Sequence, residues 1–308
     1  MQRPTPQSLL LGVCLLAAPA LGETIINLQD CVAAPDGRTT LVADIREETL
    51  LGIAKDVEGE SVHFWVAGKE IGAIIGGDDG ISILECTLPN DKIETIEATA
   101  LVDGEKLRTE ARVFRWDPAR VVVVIDIDDT ICKTEFDDVL LEEKDDSEAH
   151  RNSRETLHAL TRDYELLYLT ARPSYLLEKT RNWLAMRGFP PAPIIVSQRK
   201  RDLLNQGRYK KHAIQRMKRA WPNILIGIGD RESDAYAYGK SAMLSIIVGQ
   251  ERDDDFGRHC LHMRNWKTIR RFFDHNRKTL TDPEACRKAV AGEQPLLFTI
   301  NPYKDDDD

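Results

Sequence analysis

The sequence predicts an α/β chain in which a doubly wound parallel sheet over residues 118–292 follows a smaller β-sandwich over residues 23–117. Three observations predict this. Between Glu23 and Trp116 the apolar residues come in short strand-like runs broken by Gly and Asp turns. Beyond Asp117-Pro118 the runs are continuous, at Val121 to Ile125, Leu166 to Leu169, Ile194 to Val196 and Ile224 to Ile228. Such runs mark strands buried on both faces of a parallel sheet. Helical stretches separate them, and that alternation is the pattern of a doubly wound fold.

Residues 1–22 read as an export signal: Arg3, an apolar stretch from Leu9 to Ala18, and Ala20-Leu21-Gly22 with small residues at the two positions a signal peptidase reads. The stretch is too short to span a bilayer. Val13 before Cys14 argues against lipid attachment there. The expected location is therefore exported, periplasmic or secreted. In the sandwich, strands are expected at Ser61 to Val66, Ile71 to Ile75, Ile81 to Cys86 and Ala98 to Val102, and Asp103-Gly104 predicts a hairpin into Leu107 to Trp116. Short strands with such turns suggest the immunoglobulin-like type. Asp78-Asp79 reads as a solvated hairpin rather than a Ca²⁺ site. Ser174 to Arg187 is expected as a helix with Leu176, Leu177, Trp183 and Leu184 on its buried side and Gly188 as its stop. Trp266, Ile269, Phe272 and Phe273 have helical spacing and are expected on the core. Residues 293–308, ending in Asp305 to Asp308, read as a solvated acidic tail.

A net charge of -9 disfavours a nucleic acid partner. After the leader, Cys31, Cys86, Cys132, Cys260 and Cys286 remain, without the close spacing of zinc sites. An oxidising compartment permits disulfides. Cys31 with Cys86 and Cys260 with Cys286 are the expected pairs, since each falls inside one domain, although the sequence does not fix connectivity.

Chemistry is expected where the continuous runs end. The first ends in Asp126-Ile127-Asp128-Asp129-Thr130, the second in Thr170, and the fourth in Gly229-Asp230-Arg231-Glu232-Ser233-Asp234; Lys210 and Lys211 precede a helical stretch between them. Two carboxylates one residue apart at the end of a buried strand are costly to ionise together unless a cation relieves them. A divalent metal is the simplest relief.

With these motifs, in this order, the chain resembles the haloacid dehalogenase superfamily over about residues 119–250. The resemblance implies Asp126 as nucleophile, forming an aspartyl-phosphate, and Asp128 as the acid and base that serves leaving group and water. It implies a Mg²⁺ ion held by Asp126, Asp230 and the backbone carbonyl of Asp128, with Asp234 orienting that shell. Thr170 and one lysine would bind the phosphoryl oxygens, with Lys211 the first choice and Lys210 the second. Thr130 and Arg172 are further candidates for substrate contact, Arg172 at the rim or in a surface salt bridge. About 40 residues separate Thr130 from Thr170, and the core elements use them, so no large cap domain fits and a bulky substrate is expected.

A narrower resemblance lies in Tyr168-Leu169-Thr170-Ala171-Arg172-Pro173, Thr180-Arg181-Asn182-Trp183-Leu184 and Gly188-Phe189-Pro190, which are similar to the phosphatidate phosphatases of the lipin and actin patch protein type. It implies a lipid phosphate as substrate and a membrane surface as partner. The alternatives are a phosphatase for phosphoprotein, sugar phosphate or nucleotide, and a phospholipid-binding module whose catalysis is vestigial.

Overall fold

The structure, a computed structural model, describes residues 23–48, 54–89, 92–133, 147–199, 202, 204–249 and 260–297. The export signal at 1–22 and the run Asp305 to Asp308 lie outside the described residues. No helix among the described residues is long and apolar enough to cross a membrane.

Among the described residues the first unit holds nine strands: β1 (Thr24–Leu28), β2 (Cys31–Val32), β3 (Arg38–Glu48), β4 (Ala54–Asp56), β5 (Ser61–Val66), β6 (Lys69–Ile75), β7 (Ile81–Thr87), β8 (Thr95–Val102) and β9 (Glu105–Phe114). One sheet runs β1-β3-β4 with β7 also paired to β3, and the other runs β2-β9-β8-β5-β6. The two share one apolar core, to which β3 contributes Leu41, Ala43 and Ile45 and β5 contributes Val62, Phe64 and Val66. Their period of two is what a sheet with one buried face requires. Asp103 and Gly104 both have positive φ, 50° and 85°, and close the β8–β9 hairpin where the sequence placed it.

Among the described residues the second unit is a six-stranded parallel sheet, ordered β12-β11-β10-β13-β14-β15. Its strands are β10 (Val122–Ile125), β11 (Glu165–Pro173), β12 (Ile194–Ser197), β13 (Ile224–Gly229), β14 (Leu244–Val248) and β15 (Cys260–Met263). Around it lie α1 (Ser153–Leu160), α2 (Leu177–Met186), α3 (Gln206–Lys218), α4 (Glu232–Gly239), α5 (Trp266–His275), α6 (Arg277–Leu280) and α7 (Pro283–Val290). The sheet separates two apolar layers: Val123 and Ile125 face the one with Trp183, Trp266 and Phe273, and Val122 and Val124 face the one with Trp221, Ile214 and Tyr238. Ser174 to Leu176 form a 3₁₀ turn before α2, so the helix expected from Ser174 starts three residues later.

Three details differ from expectation. Trp116 stacks edge-on against Trp221, with ring centroids 5.4 Å apart, and so belongs to the core of the second unit although it precedes Asp117-Pro118. Residues 293–297 are tethered to the second unit although Glu293, Pro295 and Leu297 stay exposed: the Leu297 N–H donates to Asn276 Oδ1 at 2.6 Å, and Leu296 packs on the core. The five described cysteines are all free thiols, which overturns the expected disulfides. The Cys260 thiol is instead directed at Ser245 Oγ, 3.6 Å away, and Cys286 is the residue that α7 buries in the core.

Gly227 on β13 lies directly under the Tyr238 ring, which a Cβ would overlap, while the Tyr238 hydroxyl is tethered to the Ile228 carbonyl at 3.1 Å. Gly227→Ala should therefore destabilise the chain by about 1–3 kcal/mol through overpacking, read as a lower urea midpoint at an unchanged slope.

Candidate active site

Loops from three neighbouring strands meet at the carboxyl edge of the parallel sheet. β10 releases Asp126, β11 carries Thr170 and Arg172 near its end, and β13 releases Asp230. β10 lies between β11 and β13, so the chain leaves it in opposite directions, and this crevice is where doubly wound sheets gather ligands. The Asp126 N–H donates to the Ile228 carbonyl at 3.0 Å, so the sheet's own ladder fixes the first carboxylate.

Asp126, Asp230 and Asp234 are all buried and each brings a carboxylate oxygen within 4.8 Å of the others. Gly229 permits that approach, since a Cβ there would lie 2.5 Å from the Asp234 Cβ. Asp234 stands in the first turn of α4, where its carboxylate accepts the Arg231 N–H at 3.3 Å and faces the positive end of the helix. Lys210 reaches in from α3, whose start Asn205 caps by accepting the Arg208 N–H at 3.1 Å. Its Nζ lies 2.7 Å from Asp126 Oδ1 and 2.6 Å from Asp234 Oδ1. The Thr130 hydroxyl donates to Asp230 Oδ1 at 3.0 Å and lies 3.4 Å from Asp126 Oδ2.

Three carboxylates thus face one ammonium. Burial pushes Asp230 up to about 7, with Asp234 adding to the rise and Lys210 and Arg231 opposing it. Burial also raises Asp126, reinforced by the neighbouring acids and opposed by Lys210. Lys210 responds the other way: burial alone would lower it, yet Asp126 and Asp234 outweigh that and keep it charged. The unbalanced negative charge and the all-oxygen donor set of Asp126, Asp230 and Asp234 fit a hard divalent cation.

Not every residue singled out from the sequence comes to this cluster. Lys211 does not: neighbouring helix positions point about 100° apart, and its Nζ sits over the Tyr236 ring, 6.0 Å from the centroid. Lys210 is the lysine in the site. A signal for this was present, because Lys210 shares its face of α3 with buried Ala213 and Ile214, three and four residues on. Arg172 is neither at the rim nor in a surface salt bridge. It is fully buried, its Nε 2.9 Å from Asp128 Oδ1 and its Nη1 3.3 Å from Thr180 Oγ1. A guanidinium taken out of water needs such a carboxylate partner. Thr130 is also fully buried, and its hydroxyl serves the carboxylates of Asp230 and Asp126.

The Asp128 carboxylate turns from the triad towards β11, accepting from Arg172 and from the Thr170 hydroxyl at 3.0 Å. Its side chain keeps 14% exposure while those of Asp126, Asp230 and Asp234 keep 7% or less, so it is the acid of the set that faces the opening. Two supports were missed. Arg231 bridges Asp129 Oδ2 at 2.8 Å and Asp230 Oδ2 at 3.3 Å, and Trp266 Nε1 donates to the Thr130 carbonyl at 2.8 Å across 136 residues of chain. Arg231 could have been found beside Asp230; no spacing in the sequence links Trp266 to Thr130.

Because the folded state holds the Asp230 proton up to about 7, against about 3.9 for a free carboxyl, Asp230 contributes stability that is fully present below the lower value. That contribution is lost as pH rises through the upper one. With divalent cations chelated, Asp230→Asn should therefore gain stability relative to the wild type between about pH 4 and about pH 7. Urea unfolding of both proteins across that window measures it.

No curated protein matches the chain. Among solved structures it is similar to the M1 domain from titin, at 14% identity and a TM-score of 0.23, over 30% of this chain and 95% of that one. Titin M4 follows at 10% identity and a TM-score of 0.23, over 32% and 99%. The chitinase ChiW from Paenibacillus sp. str. FPU-7 matches at 8% identity and a TM-score of 0.20, over 73% of this chain and 26% of that one. Scores this low carry no argument about fold or function. The family comparison does: residues 95–246, from the first residue of β8 into β14, match the LNS2 (Lipin/Ned1/Smp2) family model. The chain therefore carries an LNS2 domain, the haloacid dehalogenase-like catalytic type of phosphatidate phosphatases.

Proposed function

We propose that this chain is an exported, Mg²⁺-dependent phosphomonoester hydrolase that acts on phosphatidate or a related lipid phosphate through an aspartyl-phosphate on Asp126. The observation that carries the reading is the buried triad of Asp126, Asp230 and Asp234 with Lys210 bridging two of its members. On this reading Asp126, Asp230 and Asp234 would hold Mg²⁺, whose chemistry there is to offset the charge of the phosphoryl oxygens. The first unit is read as an immunoglobulin-like sandwich.

The chain's own groups supply the rest. An Asp126 carboxylate oxygen attacks phosphorus while the ester P–O bond breaks, and Asp128 gives its proton to the leaving alkoxide. Water then attacks the phosphoryl group, Asp128 takes back a proton, and the Asp126 carboxylate is released with phosphate. Lys210 fixes the orientation of Asp126 and lends positive charge beside the transferring group. On the same reading the Thr170 hydroxyl, which donates to the Asp128 carboxylate in the structure, binds a phosphoryl oxygen.

The Arg172–Asp128 pair supports a second reading, a phosphatidate-binding module without turnover, because it holds the proposed acid in an ion pair. Phosphate release from micellar phosphatidate and from small phosphoesters, with and without Mg²⁺, separates the readings. Mg²⁺-dependent release from phosphatidate is the expected result. Release from small esters alone would remove the lipid assignment, and phosphatidate binding without any release would favour the second reading. Asp126→Asn should lower turnover by at least about a thousandfold while the folded circular dichroism spectrum is kept; a smaller loss removes Asp126 as nucleophile.

A further inference from the structure

Strand β3 places Leu41, Ala43 and Ile45 in the core of the first unit, so Asp44 and Arg46 point out of the opposite face. An outer sheet face with charges would ordinarily be solvated. Here Asp44 is 1% exposed and Arg46 3%, because that face lies against the second unit. Burying charges this way is costly unless each is paired and hydrogen-bonded. The partners are specific. Asp44 accepts from Asn27 Nδ2 at 2.9 Å, lies 3.6 Å from Arg46, and faces the side chain of buried Ser174, whose 3₁₀ turn packs against β3. Arg46 pairs with Asp56 on β4 and donates to the Asp79 carbonyl at 3.2 Å within its own unit, and its other nitrogen donates to the carbonyl of Gln198, just after β12.

Asp30 makes a second tie. Its Oδ1 lies 2.9 Å from Arg181 on α2, and its Oδ2 accepts the Ile194 N–H at 3.2 Å. These ties converge on one group. Ser174 is two residues beyond Arg172, with Pro173 between them in an extended conformation at φ -67°. Thr180, the second partner of the Arg172 guanidinium, neighbours Arg181 on α2. Arg172 in turn holds Asp128.

We infer that the first unit is part of the active site's frame, with Asp44 as a positioning residue that holds Ser174, and through Pro173 the Arg172 guanidinium, against Asp128. The kinetic part of this inference rests on the phosphatase reading above; the structural part does not. The start of the LNS2 match at Thr95, within the first unit, agrees with a frame shared by both units.

The test uses the full chain with Asp44→Ala, Ser174→Ala, the double variant, and Ser174→Thr, which keeps the hydroxyl. Amide hydrogen exchange is followed over residues 170–177 and over β10 as reference, together with kcat and KM. Both alanine variants should speed exchange in 170–177 by about tenfold with β10 unchanged, and lower kcat by about tenfold at an unchanged KM. The double variant should be no worse than the worse single, because both remove one interaction. Ser174→Thr should restore both readouts. Unchanged exchange in 170–177 in folded Ser174→Ala, or an increase spread evenly over the chain, overturns the inference. So does a normal kcat where local exchange has quickened. Should Asp44→Ala fail to fold, Ser174→Ala and Ser174→Thr decide alone. If the wild type releases no phosphate, the phosphatase reading falls while hydrogen exchange still decides the positioning role.

Discussion

Lys210 is the residue on which the carboxyl edge of the sheet depends. Its ammonium lies between Asp126 and Asp234, from the first and fourth strand ends, and ties both to α3. Without it the cluster would hold three buried acids and no neutralising side chain in direct contact with Asp126 and Asp234, a state in which burial forces carboxyls to keep their protons. Lys210 relieves part of that charge and leaves part unrelieved, and the remainder, carried on oxygen donors alone, fits a small, hard cation.

The surrounding architecture can be read as the means of tolerating this arrangement. Gly229 gives Asp234 room to approach, Arg231 spans Asp129 and Asp230, and Thr130 is held from behind by the Trp266 indole. On the other side of the crevice Asp128 is occupied by Arg172 and Thr170. The site is thus two electrostatic groups: a buried triad with Lys210, and a more open acid with a buried arginine. Of the four acids Asp128 keeps the most exposure, while its charge still adds to the rise at Asp126.

The two units are also less separate than a linear division suggests. Trp116 belongs to the second core, Leu296 packs onto the second unit from beyond the expected end while the Leu297 backbone is bonded to Asn276, and the LNS2 match begins inside the first unit. Buried Asp30, Asp44 and Arg46 lie where they meet. Charges in such a place need particular partners in fixed geometry, so they set how the units dock more sharply than apolar contacts do.

The sequence by itself determined the parallel sheet, because Val121 to Ile125 and its counterparts are apolar without alternation and must be covered on both sides. It also determined that Asp126, Thr170 and Asp230 converge, since residues at strand ends of a doubly wound sheet share one edge. The Asp103-Gly104 hairpin was legible for a local reason, the positive φ that both positions adopt. Tertiary structure alone decided the rest. Helix phase against the sheet selected Lys210 over Lys211; the cost of burying a guanidinium paired Arg172 with Asp128 rather than with solvent; and cysteines that share a unit stay unpaired. Each of these depends on which atoms of distant segments come within a few ångströms, and spacing along the chain does not encode that distance.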